Sequence, residues 1–313
     1  MDVICVKKIS IIVPCYNEEG NIKLFYDEIK NVINDMNVKL ELIFVDDGSK
    51  DDTLSIIKKI TDDKDVKYIS FSRNFGKEAA IMAGLKASTG DYVTIIDADL
   101  QEPPSLLPVM YKLIIDDGYD CVATKNSDKK GYSFFRKTFT LAFYKIIAKL
   151  SHTEMVLGAN DYRLMTRQVV DAILEMKEYN RYSKGIFSFV GFKTKWIEFE
   201  IQERASGTTK WSFWKLFSYA IEGIVSFSTV PLTFSIFIGF FLCVIAFILL
   251  ILIIIKMITS TPSNLLSLSC ILCTLSGIQL ICLGIVGEYL AKVHLEVKNR
   301  PVYIIKESNV SRK

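Results

Sequence analysis

The sequence predicts an α/β protein: a mostly parallel sheet covered by helices on both faces, followed by a helical hairpin in a membrane. Two observations carry this. Over roughly the first two hundred residues, short apolar runs alternate with segments of helical spacing or composition, the pattern of repeated strand–helix units. Further on, charge disappears twice, from Gly223 to Ile255 and from Met257 to Gly287.

The apolar runs Ile9–Pro14, Leu40–Val45, Val66–Phe71, Tyr92–Ile96 and Tyr119–Thr124 are the expected strands. Between them, Glu19–Met36, Asp51–Thr61, Lys77–Ser88 and Pro104–Ile115 are the expected helices, with Asp51 or Asp52 placed to cap the second. Each uncharged run exceeds the roughly 20 apolar residues that span a bilayer. Pro262, Ser263 and Asn264 form a turn between two spans at about 232–256 and 266–291. Lys292, Lys298, Arg300, Lys306, Arg312 and Lys313 follow the second span, so the positive-inside rule puts both chain ends in the cytoplasm. Just before the hairpin, Trp211, Trp214, Phe217 and Tyr219 alternate with Lys210 and Lys215. That stretch is expected to lie in the membrane interface, an amphipathic core helix being the competing reading. The expected domains are thus 1–205, a juxtamembrane segment at 206–230, the hairpin at 231–291 and a basic tail at 292–313.

Composition excludes several classes. The 313 residues are 50% hydrophobic, 23% charged and carry a net charge of only +3, with mean hydropathy +0.28. No basic block supports nucleic-acid binding. The seven Cys are scattered, which points to reduced thiols and not to a disulfide framework. Cys270 and Cys273 stand in an apolar segment without a second pair, a poor zinc site, and His152 and His294 are the only histidines. Met1 to Lys8 leads straight into a strand pattern, with no signal peptide.

Polar clusters fall where strands end: "PCYNEEGN" (14–21), "VDDGSKDDT" (45–53), "SRNFGKE" (72–78) and "DADLQEPP" (97–104). In open parallel sheets ligands bind beyond the carboxyl ends of the strands, so four clusters at corresponding ends outline one crevice. Neither G-x-G-x-x-G nor a P-loop occurs. Side chains at i and i+2 of a strand share a face, so Asp97 and Asp99 address one point and repel unless a positive charge sits between them. Hard oxygen ligands suit Mg²⁺ or Mn²⁺ shared with substrate phosphates, and Gln101 offers a further oxygen. A solvated strand end is the common meaning of a lone D-x-D.

"SIIVPCYNEE", "DDGSKDDT", "SRNFGKEAAIMAGL" and "DADLQEPP", in that order, resemble the family 2 glycosyltransferases with a GT-A fold. "NRYSKGIFSFVGF", "ERASGTTKW", "GIVSFSTVPL" and "GEYLAKVHLEVKNRPVY" narrow the resemblance to the polyprenyl-phosphate glycosyltransferases, over nearly the whole chain. The resemblance implies that Pro14, Tyr16, Glu18 and Asp47 line the donor nucleotide. Asp97, Asp99 and Gln101 would hold the metal on its diphosphate, and Arg204 and Lys210 would reach over the phosphates. Gly207 independently permits a turn there, and an arginine fork suits phosphate oxygens, although a lone arginine is most often a surface charge. Arg136 and Thr140, four apart on one helix face, would take the lipid phosphate. Asp161 matches a position near the acceptor, a capping aspartate being the competing reading. Two departures touch the acceptor side: Lys125 and Asp128 stand where relatives carry R-x-x-R, and Lys184 where arginine is common.

The implied activity is inverting transfer of a hexose from a nucleotide-diphosphate donor to a polyprenyl phosphate at the inner leaflet. UDP-glucose leads as donor, ahead of galactose, N-acetylhexosamine, mannose and aminoarabinose. A homo-oligomer is also implied, since some relatives form tetramers. Two rivals remain: a processive polysaccharide synthase, whose Q-x-x-R-W is absent here, and a non-catalytic membrane subunit.

Overall fold

The computed structural model describes residues 6–126, 156, 158–179, 181–199 and 265–310, with helical positions at 241, 244, 245, 248 and 251. The chain divides into two compact units, Met1–Ser212 with Pro301–Lys313, and Phe213–Arg300.

The first unit is built on one eight-stranded sheet. Its strands are β1 (Lys8–Cys15), β2 (Lys39–Asp46), β3 (Val66–Phe71), β4 (Tyr92–Ile95), β5 (Cys121–Asn126), β6 (Ala159–Thr166), β7 (Thr194–Phe199) and β8 (Ile305–Ser308). They lie in the order β7-β5-β6-β4-β1-β2-β3-β8. β4, β1, β2 and β3 run parallel to one another, as do β5 and β7, while β6 and β8 run antiparallel to their neighbours. The five expected strands and four expected helices are all present, the helices as α1 (Ile22–Asn34), α2 (Thr53–Ile60), α3 (Lys77–Ala87) and α4 (Leu107–Asp117). Two short helices follow, α5 (Arg167–Glu175) and α6 (Ser183–Phe189).

β1 explains the layering. Ile9, Ile11, Ile12 and Val13 are all fully buried, the continuous apolar run of a strand covered on both faces. Ile9, Ile11 and Val13 pack with Phe25 and Ile29 of α1 and Met110 of α4, while Ile12 meets Gly84 of α3. Just before α2, Asp51 accepts hydrogen bonds from the Thr53 N–H (3.1 Å) and hydroxyl (2.6 Å), while Asp52 holds the N-cap position without a side-chain cap bond. All four polar clusters therefore emerge at the carboxyl ends of β1, β2, β3 and β4, on one edge of the sheet.

Two features differ from expectation. β4 stops at Ile95, so Asp97 and Asp99 belong to the turn that follows and not to the strand. Leu100 takes a positive φ of 57°, and the Gln101 N–H folds back onto Asp99 Oδ1 at 3.1 Å. Strand alternation therefore does not set the directions of these two carboxylates. The basic tail also does more than trail: Ile305–Ser308 pairs with β3 and extends the sheet.

In the second unit, α7 (Leu265–Val297) is 33 residues long. Its stretch Leu275–Val297 is long and apolar enough to cross a membrane, the one such helix among the described residues. The expected first span at 232–256 lies almost wholly outside the described residues, and the interfacial stretch at 210–223 entirely so.

Candidate functional site

The crevice above β1 to β4 is a charge cluster, with a lysine bonded to two of its carboxylates. Lys77, the first residue of α3, brings Nζ 2.8 Å from Asp97 and 2.7 Å from Asp161. Gly76, the N-cap, has a φ of 97° that turns the chain out of the β3 loop and aims Lys77 into the crevice. Burial works against the Lys77 charge, but the two carboxylates outweigh it and hold its pKa well above the ordinary value. Burial likewise acts to raise Asp161, yet Lys77 and then Lys184 pull its carboxyl down to about 2.

Asp161 comes from β6, which pairs antiparallel with β4 and so delivers its side chain beside Asp97. Lys184 enters through α6. Glu78, the neighbour of Lys77, accepts hydrogen bonds from the Ser183 N–H (3.1 and 3.2 Å) and hydroxyl, which fixes α6 against α3.

Glu102 was not singled out in the sequence. It is 8% exposed, and its Oε2 is buried without a hydrogen-bond partner. Burial first, and then the charge of Asp97, push its pKa well up, with Lys77 opposing and Asp161 and Asp99 adding to the rise. Four carboxyl groups therefore share one crevice. Lys77 was equally missed; two carboxylates lacking a countercharge were the signal, and "FGKEA" held the answer.

The donor set fits a hard divalent cation. Asp97 and Asp99 bring hard carboxylate oxygens to the crevice, and Glu102 Oε2 lies buried there without a hydrogen-bond partner. No group of three or more Asp, Glu, His or Cys forms a ready cage among the described residues. Mg²⁺ and similar ions bind in that manner, through one or two carboxylates together with substrate phosphates.

The expected nucleotide residues gather at the ends of β1 and β2. Pro14 lies within β1, and Tyr16 beyond it is 39% exposed. The Glu18 N–H donates to Thr53 Oγ1 at 2.8 Å, and its carboxylate accepts from Asn21 Nδ2 at 2.6 Å. Asp47 is 4% exposed and accepts from the Phe75 N–H (2.6 Å) and Gly76 N–H (2.9 Å). Burial raises its pKa, against the pull of those two amides. Its carboxylate thus braces the loop after β3 as well as facing the crevice end of the sheet. Lys125 pairs with Glu198 across β5 and β7 at 2.8 Å. Arg136, Thr140, Arg204, Lys210 and Asp128 lie outside the described residues.

Comparison with known proteins agrees with this architecture. Residues 10–174 match the family described as Glycosyl transferase family 2. The Bacillus subtilis (strain 168) protein CsbB is 43% identical over 97% of this chain and 93% of its own. The SfII prophage-derived bactoprenol glucosyl transferase of Shigella flexneri is 40% identical over 96% of this chain and 98% of its own. The prophage bactoprenol glucosyl transferase homolog of Escherichia coli (strain K12) shows the same identity and coverage. An α/β sheet with an acidic crevice at its strand ends, and identity of this extent along nearly the full chain, lead to one conclusion: the protein is an enzyme belonging to glycosyl transferase family 2.

Proposed function

We propose that this enzyme transfers a hexose from a nucleotide-diphosphate sugar, UDP-glucose first among candidates, to a polyprenyl phosphate such as undecaprenyl phosphate. One observation carries the reading: the acidic crevice of Asp97, Asp99 and Asp161 belongs to a chain 40% identical, nearly end to end, to proteins named bactoprenol glucosyl transferases. Pro14, Tyr16, Glu18 and Asp47 hold the nucleotide in this proposal. Arg204 and Lys210 close over the phosphates, and Arg136 and Thr140 hold the acceptor phosphate. Asp97, Asp99 and Gln101 would hold Mg²⁺ or Mn²⁺, which neutralises charge on the leaving diphosphate.

The acceptor phosphate is an anion near neutral pH, so its oxygen needs no strong base to attack the anomeric carbon. As that bond forms, the bond from the anomeric carbon to the diphosphate breaks, and the electron pair leaves with the diphosphate. In-line displacement inverts the centre and yields a β-linked lipid sugar from an α-linked donor. Orientation and fixed charge then supply the acceleration. Lys77 bridges Asp97 and Asp161, which preserves the crevice geometry.

The test is direct. Full-length protein in detergent receives undecaprenyl phosphate and a mixture of nucleotide sugars, and mass spectrometry identifies the lipid product. A lipid-linked hexose is expected; no lipid-linked sugar from any donor overturns the proposal. Asp99→Asn should lower turnover by about a hundredfold or more, in the range for losing transition-state charge stabilisation, and chelation should silence the wild type. Near-normal, chelator-insensitive transfer by Asp99→Asn removes the metal from the mechanism.

A further inference from the structure

The segment that follows α7 is locked to the loop after β3. Tyr303 stacks on Phe71 with ring centroids 4.9 Å apart and planes at 15°. Phe71 is buried at the end of β3 and meets Phe75 edge-on, with centroids 5.8 Å apart. Phe75 and Gly76 are the two residues whose N–H groups grip Asp47. A row of contacts therefore runs from Tyr303 through Phe71 and Phe75 to the Asp47 carboxylate.

Backbone and side-chain bonds hold the segment in place. The Ser72 N–H donates to the Ile304 carbonyl at 3.0 Å. Asn309 Oδ1 accepts from the Tyr68 N–H at 2.7 Å, and its Nδ2 donates to the Val66 carbonyl at 3.3 Å. Glu307 pairs with Lys58 at 2.6 Å. On its other side the loop has no slack. Gly48 has a φ of 67°, and a Cβ there would fall 2.5 Å from the Arg73 carbonyl carbon. The Arg73 guanidinium lies over the Phe75 ring at 4.2 Å. Residues 72–76 are thus clamped between the end of β2 and the segment 303–309.

We infer that residues 303–309 position the donor nucleotide: the Tyr303 ring fixes the Phe75 loop, and through its amides the Asp47 carboxylate. The inference rests on the proposed reading of Asp47 as a nucleotide residue. Tyr303 acts only through other residues, so it is a positioning residue for transfer.

The experiment uses the full chain and two readouts. Hydrogen exchange reports the amides of 72–76, and titration with UDP plus Mn²⁺ reports donor-site affinity. Tyr303→Ala should speed exchange in that loop and weaken UDP binding by about three- to tenfold, as expected for loss of one aromatic pair. The donor KM should rise in step, while kcat at saturating donor and the KM for undecaprenyl phosphate stay within about twofold of the wild-type values. Tyr303→Phe keeps the ring and should restore both readouts. Unchanged loop exchange, or faster exchange with unchanged UDP affinity, overturns the inference while leaving transfer itself standing. An equal loss in kcat and in acceptor use shows general weakening of the fold and also overturns it. Should Tyr303→Ala not fold, Asn309→Ala loosens the same segment with the ring retained and must give the same split to a smaller degree; without it the inference falls. Wild-type protein that binds neither UDP nor GDP brings down the functional reading, and this inference with it.

Discussion

Among single residues, Glu41 is the clearest case of a buried charge that the fold has made useful. Its side chain is 1% exposed, yet it accepts hydrogen bonds from Lys8 (3.0 Å), Lys67 (2.6 Å), Ser10 (2.5 Å) and the Thr89 hydroxyl (2.8 Å) and N–H (2.7 Å). These partners join β1, β2, β3 and the turn before β4. Burial alone would raise its pKa, but the bonds from Lys67, Ser10 and Thr89 win and bring it from 4.5 to about 2. A depressed folded-state pKa stabilises the fold above the unfolded value and loses that contribution as pH falls through the folded one. The window here is from about pH 5 down to about pH 2, and the shift corresponds to about 3 kcal/mol. Glu41→Gln should cost about 3–5 kcal/mol at neutral pH, the usual cost of breaking a buried ion pair. It should also flatten the fall in unfolding midpoint between pH 5 and pH 3. A variant with the wild-type acid slope would show that Glu41 does not carry that dependence.

At the scale of elements, what the sequence revealed and what it hid follow from burial. β1 to β5 were legible because strands covered on both faces need unbroken apolar runs, and the helices between them because their spacing alternates. β6, β7 and β8 were not read. β6 opens on Ala159, Asn160 and Asp161, β7 is half-exposed along much of its length, and β8 has four residues. Site legibility divides in the same way: Asp97, Asp99 and Asp161 stood in recognisable motifs, while Lys77 and Glu102 gain their roles only when separate elements meet. α3 shows a further constraint. It is buried from Ala79 to Leu85, and a Cβ on Gly84 would lie 2.2 Å from Ile12 Cγ2. Gly84→Ala gains about 1 kcal/mol of helix propensity but overpacks a full core, at a cost of about 1–3 kcal/mol. The steric effect should win and lower the unfolding midpoint. Adding Ile12→Val, which removes a methylene at the clash, should recover part of the loss. A double variant with strictly additive losses would rule out that contact as the cause.

For the whole molecule, the sheet constrains how the chain meets a membrane. β7 ends at Phe199 and β8 begins at Ile305, and both belong to one sheet, so both lie on one side of any bilayer. Whatever crosses between them must cross an even number of times. The stretch Leu275–Val297 is apolar enough for one crossing, and it exposes Leu280, Leu283 and Leu290, which water solvates poorly and lipid well. At 1.5 Å per residue α7 is about 50 Å long, more than the roughly 30 Å of hydrocarbon it would span. Glu288, Lys292, His294 and Glu296 all fall in the C-terminal half of Leu275–Val297, as expected of an end that leaves the membrane. If α7 crosses, a second crossing upstream is expected, and we propose the uncharged run from Gly223 to Ile255 for it. Lys298, Arg300 and Lys306 follow the helix, and on the positive-inside rule we propose that the sheet and both chain ends face the cytoplasm. A topology reporter fused after Lys313 should therefore be active only inside the cell, and one inserted at Ser263 only outside. Activity of both on the same side would mean that no crossing separates Ser263 from the sheet. An outside signal at Lys313 with an inside signal at Ser263 would keep two crossings but reverse their direction, and would overturn the cytoplasmic placement of the sheet.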